Sequence, residues 1–461
     1  MFLLCIGCLL VGTVRAADAG GQSQSETGIH FNLSTPGARS LGMGGAFLAL
    51  SDDATAAYTN PAGLTNLLVG GPEVAIEVRR WKYSNTNIDG GHVLGTPTNQ
   101  GVDTLPGLTY SETTNYVNGL SFLSAGYVLP HGLAVALYRH ELANFASEGE
   151  SQGPVFGELT QECGDEPPGK SCTLDRFPPS RTRTSLSIVN YGVSAAYSVP
   201  MHSGGLLALG LGASYYRSDS LDRTESFAFR DGGRERGGFL GSPDFLPDNL
   251  METDVERGRD TDLGFSLGLL WKAGKEQRWS LGAVYRKGPV FGTTSSVRKT
   301  QLGLERLGGL AAEGPEKGML RVPDTYGLGV AYSAARGSTK VALDYNRARY
   351  SQRLAEIPDL KNDFRLDDAG EVHLGVEHVF LVIESHLVGT LRLGAWREPF
   401  HEPVYTGSVP LFQALFGKKG KDQSHASAGL GFVFKEDFQL DLAADFSNST
   451  DTFSVSLVKF F

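Results

Sequence analysis

Cysteine is scarce in this chain, with four in 461 residues, at Cys5, Cys8, Cys163 and Cys172. That excludes a disulfide-dense scaffold. Two of the four fall in the apolar stretch Met1 to Ala16, which ends Val14-Arg15-Ala16 and is expected to be a removed signal peptide. The other two, Cys163 and Cys172, sit in a polar Pro/Gly-rich stretch and are expected to close one short disulfide loop in an oxidising compartment. Beyond residue 16 there is no apolar run of about 18 residues, so no membrane-spanning helix is expected, though an exported chain can still cross a bilayer as a closed β-barrel. Positive charge is in deficit, 41 Lys and Arg against 51 Asp and Glu, without a basic cluster, which excludes nucleic acid as a partner.

Catalytic and metal-binding motifs are missing too. Gly264-Phe265-Ser266-Leu267-Gly268 satisfies G-x-S-x-G, but a nucleophile elbow needs a strand-to-helix turn and this run alternates like mid-strand. No H-E-x-x-H occurs, and His373 and His378, five apart, point to opposite faces of a strand. Gly42 to Phe47 does not complete a dinucleotide fingerprint. Neither an enzyme nor a cofactor or metal site is expected.

What the chain has is glycine, 59 residues of it, and period-two alternation from about Glu73 to the end. Phe438, Leu440, Leu442, Ala444 and Phe446 alternate with Gln439, Asp441, Ala443 and Asp445, and Leu263 to Trp271 alternates apolar residues with glycine and serine. About fourteen such runs occur, with tight connections after the even-numbered ones and long polar connections after nearly all the odd-numbered ones. Segregation of loop length by parity belongs to outer-membrane barrels, not to sandwiches. The expected fold is therefore all-β, a transmembrane antiparallel β-barrel of about 14 strands with its oily face toward outer-membrane lipid. Trp81, Tyr127, Tyr197, Trp271, Trp279, Tyr285 and Tyr332 are expected in interfacial girdles. Asp344, Glu371, Glu377, Arg392, Asp441 and Asp445 fall in lumen phase and are expected to form an ion-paired lining together with Arg39. A parity slip near Ile188 reads as a β-bulge or as a strand whose inner face meets apolar plug residues.

Ahead of the first strand runs GARSLGMGGAFLALSDDATAAYTNPAGL, Gly37 to Leu64. Its glycines permit close backbone approach, Ser51 or Asp52 can cap a turn of helix over Ala54 to Tyr58, and Asn60-Pro61 breaks the chain. A fourteen-strand barrel encloses more space than its side chains fill, so this segment is expected to plug the lumen. The expected division is 1–16 leader, 17–70 N-terminal extension and hatch, and 71–461 barrel.

Gly37-Ala38-Arg39, Gly42-Met43-Gly44-Gly45-Ala46, Asp52-Asp53-Ala54 and Asn60-Pro61-Ala62 resemble, in order and spacing, the hatch of FadL/TodX-type outer-membrane transporters. Trp279 to Arg286 and Arg321 to Tyr332 extend that resemblance, and the ending TFSVSLVKFF resembles the terminal strand that such barrels present to the barrel assembly machinery. The resemblance implies a monomer in the bacterial outer membrane that takes up hydrophobic small molecules, such as long-chain fatty acids, passively. Gating would involve Arg39, Gly42, Gly44, Gly45, Asp52, Asp53, Asn60 and Pro61. PorV-like accessory barrels carry a very similar opening, which gives the alternative of anchoring secreted or surface proteins. Two long loops hold unexpected apolar residues, Phe239, Leu240, Phe245, Leu246, Leu250 and Met251 in one, and Leu304 and Leu307 in the other, whose spacing suits a helix. These are the ligand-binding candidates.

Overall fold

The computed structural model describes residues 24–25, 31–67, 71–92, 107–129, 132–156, 175–201, 204–228, 245–334, 338–355, 362–382, 387–417, 419–434, 437–448 and 450–461. The expected leader, the Cys163–Cys172 loop and the candidates Phe239 and Leu240 lie outside the described residues.

Fourteen antiparallel strands close into a barrel. They are β1 (Pro72–Gly91), β2 (Leu108–Val128), β3 (Leu133–Ser151), β4 (Ser180–Pro200), β5 (Leu206–Phe227), β6 (Leu250–Ala273) and β7 (Trp279–Arg286 with Val290–Lys299). Then come β8 (Ala312–Arg321 with Thr325–Ser333), β9 (Thr339–Ala348), β10 (Ala369–Val382), β11 (Leu387–Glu398), β12 (Gln423–Phe434), β13 (Phe438–Phe446) and β14 (Thr450–Phe460). Closure is made by β1 on β14, in register from Glu73↔Phe460 to Tyr83↔Thr450.

Two strands carry a break. β7 is interrupted at Lys287-Gly288-Pro289, and β8 at Val322-Pro323-Asp324. Pro289 and Pro323 have no N–H for the ladder. Asp324 accepts the Gly288 N–H at 3.0 Å and so satisfies one of the groups released by the break.

Burial alternates residue by residue along the wall, and the exposed set is the oily one. On β5, Leu209 and Leu211 are 58% and 63% exposed and Tyr215 is exposed beyond them, after which Arg217 and Asp219 take over the outward phase. On β6 the outward series Trp271, Leu269, Leu267, Phe265, Leu263 gives way to Thr261, Arg259 and Arg257. Tyr215 pairs with Leu263 and with Tyr191, so the apolar band ends at one rung across β4, β5 and β6. A band of about nine residues per tilted strand matches a hydrocarbon core. An oily exterior of this size would be unstable against water, and the chain is an integral membrane β-barrel of the outer-membrane kind. Tyr127, Tyr197, Trp271 and Trp279 are exposed near the short-turn rim, as a girdle requires. Trp81 is a correction. It shares the inward phase of Arg79 and Tyr83 and faces a cavity.

β4 shows no slip. Its even residues from Ser180 to Ser198 are buried or half-buried, and Leu186 and Ile188 pack with Phe31 and Phe145 in the main apolar cluster of the lumen. The irregularity belongs to its neighbour, where Glu141 and Ala143 oppose Val189 and Ile188 and leave Leu142 as the extra residue of a bulge.

Candidate functional site

Residues 31–67 run inside the wall and are almost wholly buried. A coil segment inside a barrel brings amide N–H groups that no helix or sheet satisfies, so wall side chains must do it. Glu77 accepts the Gly37 N–H at 3.0 Å, Glu73 accepts Ala54 at 2.6 Å, and one oxygen of Asp344 accepts both Phe47 and Leu48 at 2.7 and 2.8 Å. Arg286 donates to the Tyr58 carbonyl at 2.7 Å, and Asn60 donates to Leu48 and Leu269 carbonyls. Pro61 opens a 3-10 turn, Pro61–Asn66.

Glycine makes this intimacy possible. Gly44 and Gly45 have φ of +64° and +80°, and a Cβ on Gly44 would stand 2.9 Å from the Ala395 nitrogen of β11. A Cβ on Gly42 would meet the Gly429 Cα at 3.0 Å. Side chains on either partner would hold the two backbones apart.

An ion-pair latch joins segment and wall. Arg39, in α1 (Ala38–Gly42), pairs with Glu377 of β10 through Nε at 2.8 Å and Nη2 at 3.0 Å, and with Asp52 at 2.5 Å. Arg392 of β11 bonds the same Glu377 at 2.8 Å and Asp441 of β13 at 2.7 Å, while Lys340 of β9 reaches Asp52 at 3.2 Å. Burial alone would raise the Asp52 carboxyl, but Arg39 and Lys340 overcome it and hold it at about 2. Asp53, with Arg39 at 3.6 Å, is pushed up by burial. The helical turn is α2 (Ala56–Thr59), and neither Ser51 nor Asp52 caps it. Asp53 accepts the Thr55 N–H at 2.9 Å instead, because Asp52 is taken by Arg39 and the Ser51 hydroxyl bonds the Phe47 carbonyl.

The wall is not paired throughout. β1 pairs with β2 over almost its whole length, and β3 does so with β4, but β2 and β3 pair only from Phe122↔His140 to Val128↔Ala134. Beyond that rung lies a window, and past its far end Gln152, just after β3, bonds the Asp89 carbonyl of β1 at 2.7 Å. Buried backbone groups left without a ladder partner need another. The Leu142 carbonyl accepts the Asn32 N–H at 2.6 Å, the Glu141 carbonyl accepts the Asn32 amide at 3.2 Å, and Arg139 caps the Leu120 carbonyl. Arg139 pairs in register with Tyr191, so the window begins at the outer end of the apolar band.

Behind the window lies a cavity of about 150 Å³, bounded below by Leu41, Gly44 and Gly45, at the side by Glu141, Ala143 and Phe145 of the bulged strand, and opposite by Trp396. A closed fourteen-strand wall, a segment latched inside it and a cavity meeting a break in the wall are now comparable with known structures. Over 93% of this chain and 99% of the other, the fold superposes on a Pseudomonas aeruginosa FadL homologue at a TM-score of 0.60 and 13% identity. The Ralstonia pickettii toluene transporter TbuX superposes over the same shares at 0.51 and 14% identity. The fold is that of the FadL-type barrels. No protein-family profile and no curated protein matches the sequence.

In this FadL-type barrel the cavity, not the loops, gathers the aromatic side chains. Phe31, Trp81, Tyr83, Phe145, Tyr350 and Trp396 line it, from one segment, three strands and one loop. None was a sequence candidate for ligand binding. Trp81 and Tyr83 carried a signal in sharing the phase of Glu77 and Arg79. The loop candidates lie elsewhere, at the outer ends of β5 to β7. Phe245 meets Phe227 edge-to-face with ring centroids 5.4 Å apart and Arg181 over its ring, Leu246 is 57% exposed, Leu250 is half-buried and Met251 is buried. Leu304 and Leu307 are half-buried on α3 (Gln301–Leu307), which Thr300 ties to the Met251 carbonyl at 2.8 Å. The two loops are thus brought together, apart from the cavity.

Proposed function

We propose that the chain is an outer-membrane channel through which compact hydrophobic molecules pass passively, and that residues 17–70 act as its hatch. The observation that carries this reading is the cavity meeting an unpaired window in the wall. Ligand would be captured at the apolar loops around Phe245, Leu246, Leu250, Met251, Leu304 and Leu307, enter the aromatic cavity above the hatch, and leave sideways between β2 and β3. Sideways exit is favoured over passage beneath the hatch, because the latch and the amide bonds to Asp344, Glu73 and Glu77 would all have to break for the latter. A cavity of about 150 Å³ is the size that holds a single benzene-like ring. It suits a compact molecule better than an extended acyl chain.

Deleting Leu142 tests the reading. Removing the extra residue of the bulge restores the alternation of β3 and lets its outer half pair with β2. Uptake of labelled toluene by cells is expected to fall by about tenfold, toward the rate of cells lacking the protein. Unchanged uptake by a correctly assembled deletion variant would refute lateral exit.

A further inference from the structure

The cavity's aromatic wall is accompanied by a lopsided set of polar groups. Two arginines near it are cancelled locally. Arg79 lies 2.7 Å from Glu77 and donates to Asn32 and Ser34, and Arg139 lies 3.3 Å from Glu141. What remains is three carboxylates, Glu371, Glu398 and Asp445, with two imidazoles, His373 and His425. Three of the four ring nitrogens are hydrogen-bonded, and the fourth faces a carboxylate. His373 bonds the Gly44 carbonyl at 2.7 Å and Glu371 at 3.1 Å, while His425 bonds Asp445 at 2.7 Å and faces Glu398 at 3.4 Å. Trp396 is stacked between the two imidazoles, and its N–H donates to Asp445 at 3.1 Å.

The imidazoles on this floor face acceptors already present, whereas each carboxylate can accept about four hydrogen bonds. Three carboxylates outnumber the two imidazoles of the lining, and His401, 3.9 Å from Glu398, stands outside it. An incoming carboxylate would meet that negative charge with neutral hydroxyls, Thr450 and Thr452 among them, to donate to it. An ammonium would find acceptors, and an aromatic ring turned face-on to it favours a cation. Arg353, whose guanidinium lies 5.7 Å from the Phe31 ring centroid, does not line the cavity.

We propose that this cavity selects compact aromatic amines and rejects aromatic carboxylates of the same size. The proposal rests on the channel reading and specifies its ligand. Three near-isosteric probes separate the terms: benzylamine, toluene and benzoate, measured by equilibrium dialysis against the full chain in detergent at neutral pH. Benzylamine is expected to bind at least about tenfold more tightly than benzoate, with toluene between them, since one ammonium–carboxylate contact in a half-dry site is worth about a decade. In the Glu371→Gln/Glu398→Gln variant, its folding checked by heat-modifiable gel migration, the ratio of benzylamine to benzoate affinity is expected to move toward one. The comparison on the unmodified chain is decisive even if that variant does not assemble. Benzoate binding as tightly as benzylamine, with toluene bound, overturns the charge selection and leaves the channel reading standing. Binding of none of the three overturns both.

Discussion

Replacing Arg39 with Met is expected to loosen the N-terminal segment without dismantling the barrel. Arg39 and Glu377 are 8% and 2% exposed, and the guanidinium takes both Glu377 oxygens as well as Asp52. Breaking a buried pair from one side costs about 3–5 kcal/mol, because the remaining charge stays buried. The abandoned carboxylates are not left alone here. Glu377 keeps Arg392 at 2.8 Å and Lys340 at 3.6 Å, and Asp52 keeps Lys340 at 3.2 Å. The lower end, about 3 kcal/mol, is therefore the better expectation, and it multiplies the undocked population about a hundredfold. Two measurements read that population. Single-channel recordings in planar bilayers should show large openings about a hundred times more often, since an emptied fourteen-strand lumen conducts ions. Maleimide labelling of Ser40→Cys, buried at 0% exposure, should accelerate in proportion when tested in a background without Cys163 and Cys172. Arg39→Lys keeps the charge but loses the fork, and should fall between, at about tenfold. A folded Arg39→Met barrel with unchanged opening frequency and unchanged labelling would show that the latch does not hold the segment.

Two further outcomes follow from the same geometry. Leu211→Arg puts a charge at the centre of the apolar band of β5, at a position 63% exposed, and should cost about 2–4 kcal/mol when folding into phosphatidylcholine vesicles is followed against urea; an effect near zero would place that face in water. The latch should also resist acid. The Asp52 carboxyl is depressed from 3.8 to about 2, so its contribution is fully present above pH 3.8 and is lost as pH falls through about 2. Labelling of Ser40→Cys by an acid-tolerant thiol reagent should thus stay slow down to pH 4 and rise only below about 3, and a rise already at pH 5 would contradict the assignment.

Much of the wall was legible because membrane strands obey one rule, and each strand states it alone. Leu263 to Trp271 or Phe438 to Phe446 needs no partner to reveal which side faces hydrocarbon. The same rule carried Asp344, Glu371, Glu377, Arg392, Asp441 and Asp445 to the lumen, where all six are buried or half-buried. Trp81 went astray for a reason that rule does not cover. Proximity to a strand end suggested a girdle, yet its parity already matched Arg79, and parity is the stronger constraint because a one-residue shift turns every neighbour to the other face.

The window was hidden for a different reason: pairing is a relation between two strands, and β2 and β3 each find a full-length partner on their other side. Nothing in the composition of either announces that they part beyond Phe122 and His140. A trace does exist in β3. Leu133, Val135 and Leu137 are exposed on odd positions, whereas Ala143 and Phe145, also odd, are buried, so the inward phase has flipped across Leu142. A flip within one unbroken strand requires an inserted residue, and an inserted residue turns the next backbone groups away from the ladder. Such groups persist when buried only where something inside the barrel can satisfy them. Asn32 does so, through both its backbone and its side-chain amide. The opening and the segment behind it are therefore one device. Asn32→Ala would remove the side-chain bonds to the Glu141 carbonyl, Arg79, Ser34 and His140 but leave the backbone bond to Leu142, and should widen the window more gently than any change that unseats residues 31–67.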